Sequence, residues 1–333
     1  MKFNTKKVIK KIAGYILNRT YFMYSSAKRM NIILMYHRVL KSPPDGYYEP
    51  GLYVNSSTFE MHLKQVSKTY NLVPLATIIE DGKRKGGFCA VTFDDGWIDT
   101  YDIAFPILRK YKVPATVFVP TDFIGKENCF WFENLTILAN KTAKNNVQPQ
   151  FLQYFTQVIP TWKPLSLSND SLCDLISCMK QLPSNYLSDI ISRAYKEIGV
   201  EVSDNIPIVN WEQMLEMSQY DISFAPHGAK HYILPTLSSD MKRDEIVSPL
   251  CTLRERGIQS APIFSYPNGS WDDESVKLLS ESGYIGAVTT RLGYNSGSEI
   301  SKPFLLNRIG LHDAISHTPS LFWFRIFQAF IAE

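Results

Sequence analysis

Short runs of β-branched and aromatic residues alternate along this chain with amphipathic segments of helical period, and this alternation constrains the fold more than any other feature. Strands that alternate with helices pair in parallel, and about seven of them are typical of an α/β barrel or partial barrel. The 333 residues suffice for one such barrel with insertions or for two average domains. The strand-like runs are Ile32–Tyr36, Ala90–Phe93, Ala115–Val119, Ile222–Ala225, Ile263–Tyr266, Ile285–Val288 and Leu306–Ile309.

Two segments between these runs predict helices. Residues 57 to 60, Ser-Thr-Phe-Glu, have the form of a capping box, which predicts that a helix begins there with Phe59 and Leu63 on its buried side. His62, in the same helix, is predicted to face solvent. Residues 98–110 predict the second helix.

Residues 126–205 break the alternation, because they are rich in Leu and Asn, poor in Gly and irregular in their periodicity. The stretch is too long for an ordinary loop, and it predicts an inserted, mainly helical segment that leaves the barrel after Val119. Since it starts beside the predicted mouth of the barrel, its Trp131 and Phe132 suggest a lid or a wall of a substrate groove, with a purely structural extension as the alternative. The barrel itself is predicted to span residues 31–318.

Composition excludes several classes of protein. Hydrophobic residues at 45% and charged residues at 20% exclude a disordered chain. A net charge of +3 is too balanced for a protein whose main work is to coat nucleic acid, so no nucleic-acid partner is predicted. The five cysteines are widely spread and form no CxxC pair, which argues against a disulfide framework or a zinc ribbon and favours a reducing compartment.

The two ends of the chain differ from the rest. Residues 1–44 contain ten Lys or Arg and no acid, and apolar residues such as Val8 and Ile12 recur at helical spacing among the lysines. Residues 1–30 therefore predict a basic amphipathic helix that lies on an anionic membrane without crossing it, which places the protein in the cytoplasm at the inner face of the membrane. Residues 319–333 are apolar nearly all round, which suits burial against the barrel or a bilayer interface.

Two adjacent carboxylates follow the second predicted strand. Asp94 and Asp95 can share a site only where the strand ends and turns, because neighbouring side chains of a strand point to opposite faces, and Gly96 supplies that turn. Barrel enzymes place their catalytic groups at this end of the strands. The alternative is a solvated turn that caps the following helix.

A pair of histidines follows the fourth predicted strand. His227 and His231 lie four residues apart, and imidazole is a common ligand of zinc and similar ions. Together with Asp95 they form a set of two histidines and one carboxylate, each at the end of a predicted strand. Such a set leaves coordination positions open for water and substrate.

These motifs resemble those of the polysaccharide deacetylase family, carbohydrate esterase family four. The match includes Thr-Phe-Asp-Asp-Gly at residues 92–96 and the pair His227 and His231. Met-Tyr-His-Arg-Val at 35–39, Pro-Ala-Thr-Val-Phe-Val at 114–119 and Phe-Ser-Tyr-Pro-Asn-Gly at 264–269 resemble one branch of the family. The resemblance implies a distorted (β/α)7 barrel that removes an acetyl group from an N-acetylated sugar with a divalent metal.

The resemblance also implies roles for single residues. Asp95, His227 and His231 would hold the metal, which is expected to be zinc, with cobalt, nickel, manganese or iron as alternatives. Asp94 would be the general base that takes a proton from metal-bound water. The backbone N–H at Asn268 would stabilise the oxyanion.

The chain departs from the family pattern in two places. Many members carry Arg-x-Pro-Tyr where this chain has Ser-Tyr-Pro-Asn at 265–268, so the arginine that orients the base is missing there. Arg308 is a candidate substitute, and a surface arginine that bridges to a neighbouring acid is the alternative. The general acid is His37 if the early motif supplies it, and His312 is the second candidate.

The sequence thus predicts an N-deacetylase that acts on an N-acetylhexosamine-containing polysaccharide or on a lipid-linked glycan precursor. A deformylase or an O-acetyl esterase on a sugar would use the same metal and water. A catalytically inactive carbohydrate-binding protein is the alternative from another class, and the intact metal-binding motif argues against it. The predicted partners are the glycan substrate and an anionic membrane, and the oligomeric state is not predicted.

Overall fold

The computed structural model describes residues 30–81, 86–126, 130–201 and 207–331. The predicted amphipathic segment 1–30 lies outside the described residues except for Met30, so its membrane contact stays a prediction. Among the described helices, none is both long and apolar enough to cross a membrane. The four cysteines in the described ranges are free thiols.

Ten strands form in the described ranges, and seven of them coincide with the seven predicted runs. They are β1 (Ile32–Tyr36), β2 (Arg38–Leu40), β3 (Tyr53–Asn55), β4 (Asn71–Leu72), β5 (Phe88–Phe93), β6 (Ala115–Val119), β7 (Ile222–Pro226), β8 (Ile263–Ser265), β9 (Gly286–Leu292) and β10 (Leu306–Gly310). Strands β2 and β3 form a small separate sheet, and β4 pairs only with the start of β5.

The main sheet curves into a nearly closed barrel. Its strand order is β7-β6-β5-β1-β10-β9-β8, and every neighbouring pair is parallel. The gap between β7 and β8 is bridged where Phe224 pairs in parallel with Ser260. All five residues of β6 are buried, as expected for a parallel strand that is covered on both faces. The predicted (β/α)7 barrel is confirmed.

Helices surround the sheet. They are α1 (Ser56–Val66), α2 (Leu75–Asp81), α3 (Phe105–Tyr111), α4 (Trp131–Lys144), α5 (Gln148–Val158), α6 (Asn169–Met179), α7 (Ser184–Ile198), α8 (Trp211–Ser218), α9 (Ser239–Glu255), α10 (Asp273–Glu281), α11 (Gly297–Ile300), α12 (Asp313–Ser316) and α13 (Pro319–Phe330). A π-helical stretch, Thr100–Ala104, precedes α3, so the helix predicted at 98–110 forms with an irregular first half.

The predicted capping box at residues 57–60 is wrong. Helix α1 begins one residue earlier, and its cap is Asn55, whose side chain accepts a hydrogen bond from the Ser57 backbone N–H at 3.0 Å. Asn55 ends β3 in an extended conformation, which is the geometry a capping residue needs. Glu60 instead receives hydrogen bonds from Lys110 and Tyr111 at the end of α3.

The long insertion contains four helices, α4 to α7. Their buried side chains belong to the same hydrophobic cluster as those of β5 and β6, as illustrated by Phe151, Leu175 and Leu187. The insertion therefore packs as an extension of the barrel core, which gives it a fixed position beside the carboxyl ends of the strands.

Helix α13 of the C-terminal segment buries one side, in line with the first of the two interpretations, and Ile331 after it is 64% exposed. Helix α13 covers the outside of α1 with Phe322, Trp323 and Ile326, which are all at most 5% exposed. His62 lies beneath this helix, and its ring stacks on Phe322 with centroids 4.7 Å apart. The expectation that His62 faces solvent is wrong, because α13 covers this side of α1.

Candidate active site

The carboxyl ends of five strands bring the predicted site residues to one end of the barrel. Asp94 and Asp95 follow β5, His227 follows β7 and the Asn268 loop follows β8. Arg308 lies within β10, and His37 separates β1 from β2. Parallel strands end on the same side of the sheet, so residues that are far apart in the sequence meet there.

A left-handed turn separates the two carboxylates. The Asp94 backbone N–H still bonds to the Tyr36 carbonyl at 2.9 Å, but Asp95 and Gly96 both adopt positive φ, at 73° and 70°. A Cβ atom on Gly96 would lie 2.6 Å from the Val119 side chain, so only glycine fits there. Both carboxylates are 2% exposed, which excludes a solvated turn.

Asp94 is held by a bidentate ion pair with Arg308. Two guanidinium nitrogens lie 2.6 Å from the two carboxylate oxygens, and Arg308 is fully buried. The guanidinium also donates to the Thr289 carbonyl at 2.8 Å and to the Ser265 hydroxyl at 3.1 Å. Burial works to raise the pKa of Asp94, but the charge and hydrogen bonds of Arg308 and the charges of the nearby histidines together outweigh it, and the pKa falls below its usual value.

The alternative interpretation of Arg308 as a surface residue is therefore wrong. Its guanidinium lies beside the loop after β8, where the Ser265 hydroxyl accepts one of its hydrogen bonds. Arginine is absent from that loop, and Arg308 from β10 supplies the guanidinium instead. A buried pair of this kind fixes the orientation of the carboxylate.

Asp95, His227 and His231 form a cluster that could hold a metal ion. The Nε2 atoms of His227 and His231 lie 3.5 and 3.3 Å from one oxygen of Asp95. The three ligand atoms lie within 4.8 Å of one another. Two imidazoles and one carboxylate, all facing one point, suit zinc and related divalent ions.

Neighbouring groups orient two of these three side chains. The Nδ1 atom of His227 lies 2.8 Å from the Ser265 carbonyl, which can only accept, so Nε2 of His227 is left to face Asp95. The Trp97 indole donates to the second oxygen of Asp95 at 3.0 Å. Such outer contacts fix the geometry that a metal requires before it binds.

The charges of the cluster shift its pKa values in opposite directions. Burial works to raise the pKa of Asp95, but hydrogen bonds from the two histidines hold it well below its usual value. Burial works to lower the pKa of His227, and the charges of Asp94 and Asp95 outweigh this and raise it. At His231 burial dominates, and the pKa is lowered.

Glu245, which the sequence analysis missed, supports the loop that carries His231. His231 adopts a left-handed conformation with φ of 59°, which is costly for a residue other than glycine. The buried Glu245 carboxylate, on α9, accepts hydrogen bonds from the backbone N–H groups of Ala229, Lys230 and Tyr232 at 3.0 to 3.3 Å. Glu245 falls on the apolar side of α9 with Pro249. A carboxylate on the apolar side of a helix is the sequence signal by which Glu245 could have been identified.

A cavity of about 220 Å³ opens over the candidate metal site. Its wall includes His37, Asn268 and the insertion residues Trp131 and Lys180. His312 is not part of this wall, and the Nδ1 atom of His312 is buried with no hydrogen-bond partner in the described part of the chain. Of the two candidates for the general acid, His37 is thus the one that reaches the cavity.

Comparison with known proteins agrees with this geometry. The family model for polysaccharide deacetylases matches residues 81–287. A Bacillus subtilis relative, YxkH, is 22% identical over 289 residues, which cover 85% of this chain and 72% of the relative. The poly-beta-1,6-N-acetyl-D-glucosamine N-deacetylase of Staphylococcus aureus is 29% identical over 173 residues, which cover 47% of this chain and 58% of the relative.

A solved structure shares the fold. The Streptococcus pyogenes deacetylase PplD, determined in complex with acetate, superposes with a TM-score of 0.58 at 20% sequence identity. The superposition covers 90% of this chain and 97% of that chain. At this identity the likeness concerns the architecture alone.

Proposed function

The chain belongs to the polysaccharide deacetylase family, and from that premise we propose that it is a metal-dependent hydrolase that removes the N-acetyl group from an N-acetylhexosamine residue of a polysaccharide. The observation that carries the proposal is the cluster of Asp95, His227 and His231 beside the buried pair of Asp94 and Arg308. Amide hydrolysis needs a strong nucleophile, a base and an acid, and the residues around this cavity supply groups for each role.

Asp95, His227 and His231 would hold the metal, for which we propose zinc. Two of these ligands already have outer hydrogen bonds, and the third lies on the loop that Glu245 supports. A divalent ion held by these three side chains would supply Lewis acidity, which activates water and polarises an amide carbonyl.

Asp94 is the proposed general base. The carboxylate offers about four lone pairs, and Arg308 occupies two of them, so the remaining lone pairs can accept a proton from the nucleophilic water. The guanidinium of Arg308 has donors and no acceptor, so it orients the carboxylate without competing for the proton.

His37 is the proposed general acid and the Asn268 backbone N–H the proposed oxyanion donor. His37 lines the same cavity as Asn268, and from there it can protonate the leaving amine. Asn268 adopts a left-handed conformation with φ of 59° and lines the cavity. A fixed backbone N–H in a dry cavity stabilises developing negative charge without reorganisation.

Acetate release from poly-β-1,6-N-acetylglucosamine, the substrate in the name of the staphylococcal relative, tests the proposed activity. Protein purified without a chelator or a histidine tag is expected to contain one divalent ion per chain by plasma mass spectrometry. Formate release from an N-formyl analogue would favour a deformylase. Faster hydrolysis of an O-acetyl sugar would favour an O-acetyl esterase. A metal-loaded protein that binds the glycan and releases no acid would be a binding protein.

We also propose that the protein works in the cytoplasm as a peripheral protein at the inner face of the membrane. The ten basic residues among residues 1–44 support this, since each lysine near an anionic surface contributes about 1 kcal/mol. Co-sedimentation with anionic vesicles is expected to weaken as salt rises, and a variant that lacks residues 2–30 should stay in the supernatant. If the full chain also stays there at low salt, the membrane contact does not exist.

A further inference from the structure

Helix α9 carries two buried charged side chains on its otherwise apolar side. Lys242 and Glu245 are 6% and 3% exposed, and they lie three residues apart, so both are on the same side of the helix. Ile246 and Leu250 continue this side as members of a hydrophobic cluster. Lysine and glutamate are rarely buried unless they are paired. The partners of these two side chains belong to two different loops of the candidate active site.

Lys242 holds the end of the loop that carries Asn268. This loop, residues 266–272, joins β8 to α10, and its last residue, Asp272, caps α10 with one carboxylate oxygen. The Lys242 ammonium lies 2.6 Å from the other Asp272 oxygen and 2.6 Å from a Glu274 oxygen. Burial works to lower the pKa of Lys242, but its hydrogen bonds with the two carboxylates outweigh this and raise the pKa. Asp272 is therefore fixed by α9 and α10 together.

The loop needs such an anchor because its backbone conformation is costly. Asn268 and Gly269 both adopt positive φ, at 59° and 69°, and Asn268 is not a glycine. The Gly269 N–H donates to the Tyr266 carbonyl at 2.7 Å, which is a contact within the loop. A Cβ atom on Gly269 would lie 2.1 Å from the hydroxyl of Thr290 on β9, so only glycine fits this close approach. Thr290 supports the middle of the loop, and Asp272 holds its end.

Glu245, one turn further along α9, holds the loop that carries His231 through three backbone N–H groups. His231 and Asn268 both line the cavity over the candidate metal site. Lys242 and Glu245 are not part of its wall. One helix thus supports, from outside the cavity, the loop of a proposed metal ligand and the loop of the proposed oxyanion donor.

We propose that Lys242 is a positioning residue for the deacetylation: through Asp272 it fixes the loop that presents the Asn268 backbone N–H to the oxyanion. This inference rests on the proposed function and names a residue on which turnover at that site depends. An oxyanion donor is effective only if it is in place before charge develops, and a displacement of about 1 Å can cost about a hundredfold in rate. Loss of Lys242 therefore affects turnover and leaves metal binding intact.

Lys242→Met is the first test, because methionine keeps an unbranched apolar stem and removes the ammonium. We would measure acetate release from poly-β-1,6-N-acetylglucosamine and hydrolysis of 4-methylumbelliferyl acetate with metal-loaded protein. On both substrates kcat is expected to fall about 10 to 100-fold, with KM and metal content unchanged. The two losses should be equal, because amide and ester both pass through an oxyanion. An unchanged kcat, or a loss confined to the amide, would overturn the proposal.

The two carboxylates that pair with Lys242 provide a matched comparison, since both lie 2.6 Å from its ammonium. Asp272→Asn keeps an oxygen that can cap α10 and weakens the link to the loop, so kcat should fall nearly as far as in Lys242→Met. Glu274→Gln acts beyond the loop, within α10, and should leave kcat within about twofold of the wild type. Equal losses in Asp272→Asn and Glu274→Gln would contradict the proposal.

The double variant Lys242→Met/Asp272→Asn tests whether the two side chains act through one contact. Its kcat should be no lower than that of Lys242→Met, because the second substitution removes a contact that is already lost. Losses that multiply would show that Lys242 acts by another route and would refute the positioning role.

A methylphosphonamidate analogue of the N-acetyl group separates positioning from a general loss of structure. The analogue mimics the tetrahedral oxyanion, so its inhibition constant should rise in Lys242→Met by the factor by which kcat/KM falls. Circular dichroism and a thermal melt establish that the variant is folded, and if it is not, Asp272→Asn decides the matter by the same measurement. A reduced kcat with an unchanged inhibition constant would overturn the proposal.

The wild type separates failure of this inference from failure of the proposed function. Metal-loaded wild-type protein that hydrolyses neither the glycan nor the ester would refute the proposed function. Wild-type hydrolysis of either substrate, with the same kcat in Lys242→Met, would refute the role of Lys242 alone. Lys277→Met is the control for loss of a lysine, because Lys277 is exposed on α10 and pairs only loosely with Glu281, at 3.9 Å. An equal fall of kcat in this control would also refute the role of Lys242.

Discussion

Two buried groups of residues in this barrel contain histidine, and they differ in what the imidazoles face. At the metal cluster, His227 and His231 face the Asp95 carboxylate, and all three side chains line an open cavity. Beneath α13, His62 faces the Tyr36 hydroxyl at 3.2 Å and the Ser316 carbonyl at 2.8 Å, with no opening to solvent.

The difference shows in the pKa of His227, whereas burial lowers the pKa of His231 as it lowers that of His62. Burial disfavours a charged imidazole in both places. At His227 the charges of Asp94 and Asp95 outweigh burial and raise the pKa, whereas at His62 burial dominates and lowers the pKa to about 4. Burial alone therefore does not identify a functional histidine. A functional histidine is identified instead by a neighbouring carboxylate with free lone pairs and by access to a cavity.

Removal of the carboxylate from the metal cluster should have the largest effect on activity. Asp95→Ala deletes one of three ligands and is expected to abolish stoichiometric metal binding and to reduce kcat by about 10⁴-fold or more. Metal content and acetate release, measured on the same preparation, check this. Asp95→Ala protein that retains one metal per chain would assign the ligand role elsewhere.

Substitution of the neighbouring carboxylate, Asp94, should reduce activity without the loss of metal that is expected for Asp95→Ala. Asp94→Asn removes the proposed base and leaves the three ligands, so kcat should fall about 10² to 10⁴-fold while the metal stays bound. Because the two residues are adjacent, each variant is the matched control of the other. Metal loss in Asp94→Asn together with metal retention in Asp95→Ala would reverse the two assignments.

His37 extends the comparison to a histidine at the cavity wall. His37→Ala should reduce amide hydrolysis about 10²-fold and spare an activated ester, whose leaving group needs no proton. The ratio of the two activities is the measurement, and His312→Ala is the matched control. Equal losses on amide and ester in His37→Ala would refute its acid role, and a selective loss of amide hydrolysis in His312→Ala would then assign that role to His312.

The strands and the motifs at their ends were predictable because both depend on local sequence. The run Ala115–Val119 forms β6 with the same bounds, since five buried β-forming residues between turns admit few alternatives. The positions of Asp94, Asp95 and His227 then follow from where strands end. The metal cluster could thus be predicted before the fold was known.

Contacts between distant parts of the chain were not predictable. His62 is buried because α13, more than 250 residues later, covers it, and Glu60 turns away from a capping role because α3 offers Lys110 and Tyr111. A cavity of about 490 Å³ beside the candidate active site is lined by residues of the segment 44–53 and of helix α4 in the insertion. Such contacts depend on tertiary packing, which overrides local patterns.

A substitution of Glu245 tests how strongly the loop that carries His231 contributes to metal binding, which distinguishes the two groups of histidines. Glu245→Gln keeps the size of the side chain but presents an amide donor to backbone N–H groups, so the loop at His231 should relax. Outer contacts of this kind are typically worth about 10 to 100-fold in metal affinity. Competition with a zinc chelator measures it, with the exposed Glu281→Gln as the control. Unchanged affinity would mean that Gly228 and the strand end suffice to hold the loop.

The smallest effect on activity is expected at His62, where the consequence is a pH-dependent stability. The pKa of His62 is about 4 in the folded chain and about 6.5 when unfolded, so its contribution is complete above pH 6.5 and is lost as pH falls toward 4. The unfolded state binds the extra proton, and the loss reaches about 3 kcal/mol at pH 4.

His62→Gln keeps a donor for the Ser316 carbonyl and an acceptor for Tyr36 without titrating. Urea unfolding of both proteins at pH 7 and pH 4 should show the wild type losing about 3 kcal/mol more than the variant, with equal deacetylase activity at pH 7. Parallel losses in the two proteins would mean that His62 is already protonated in the fold and that the two groups of histidines do not differ as described.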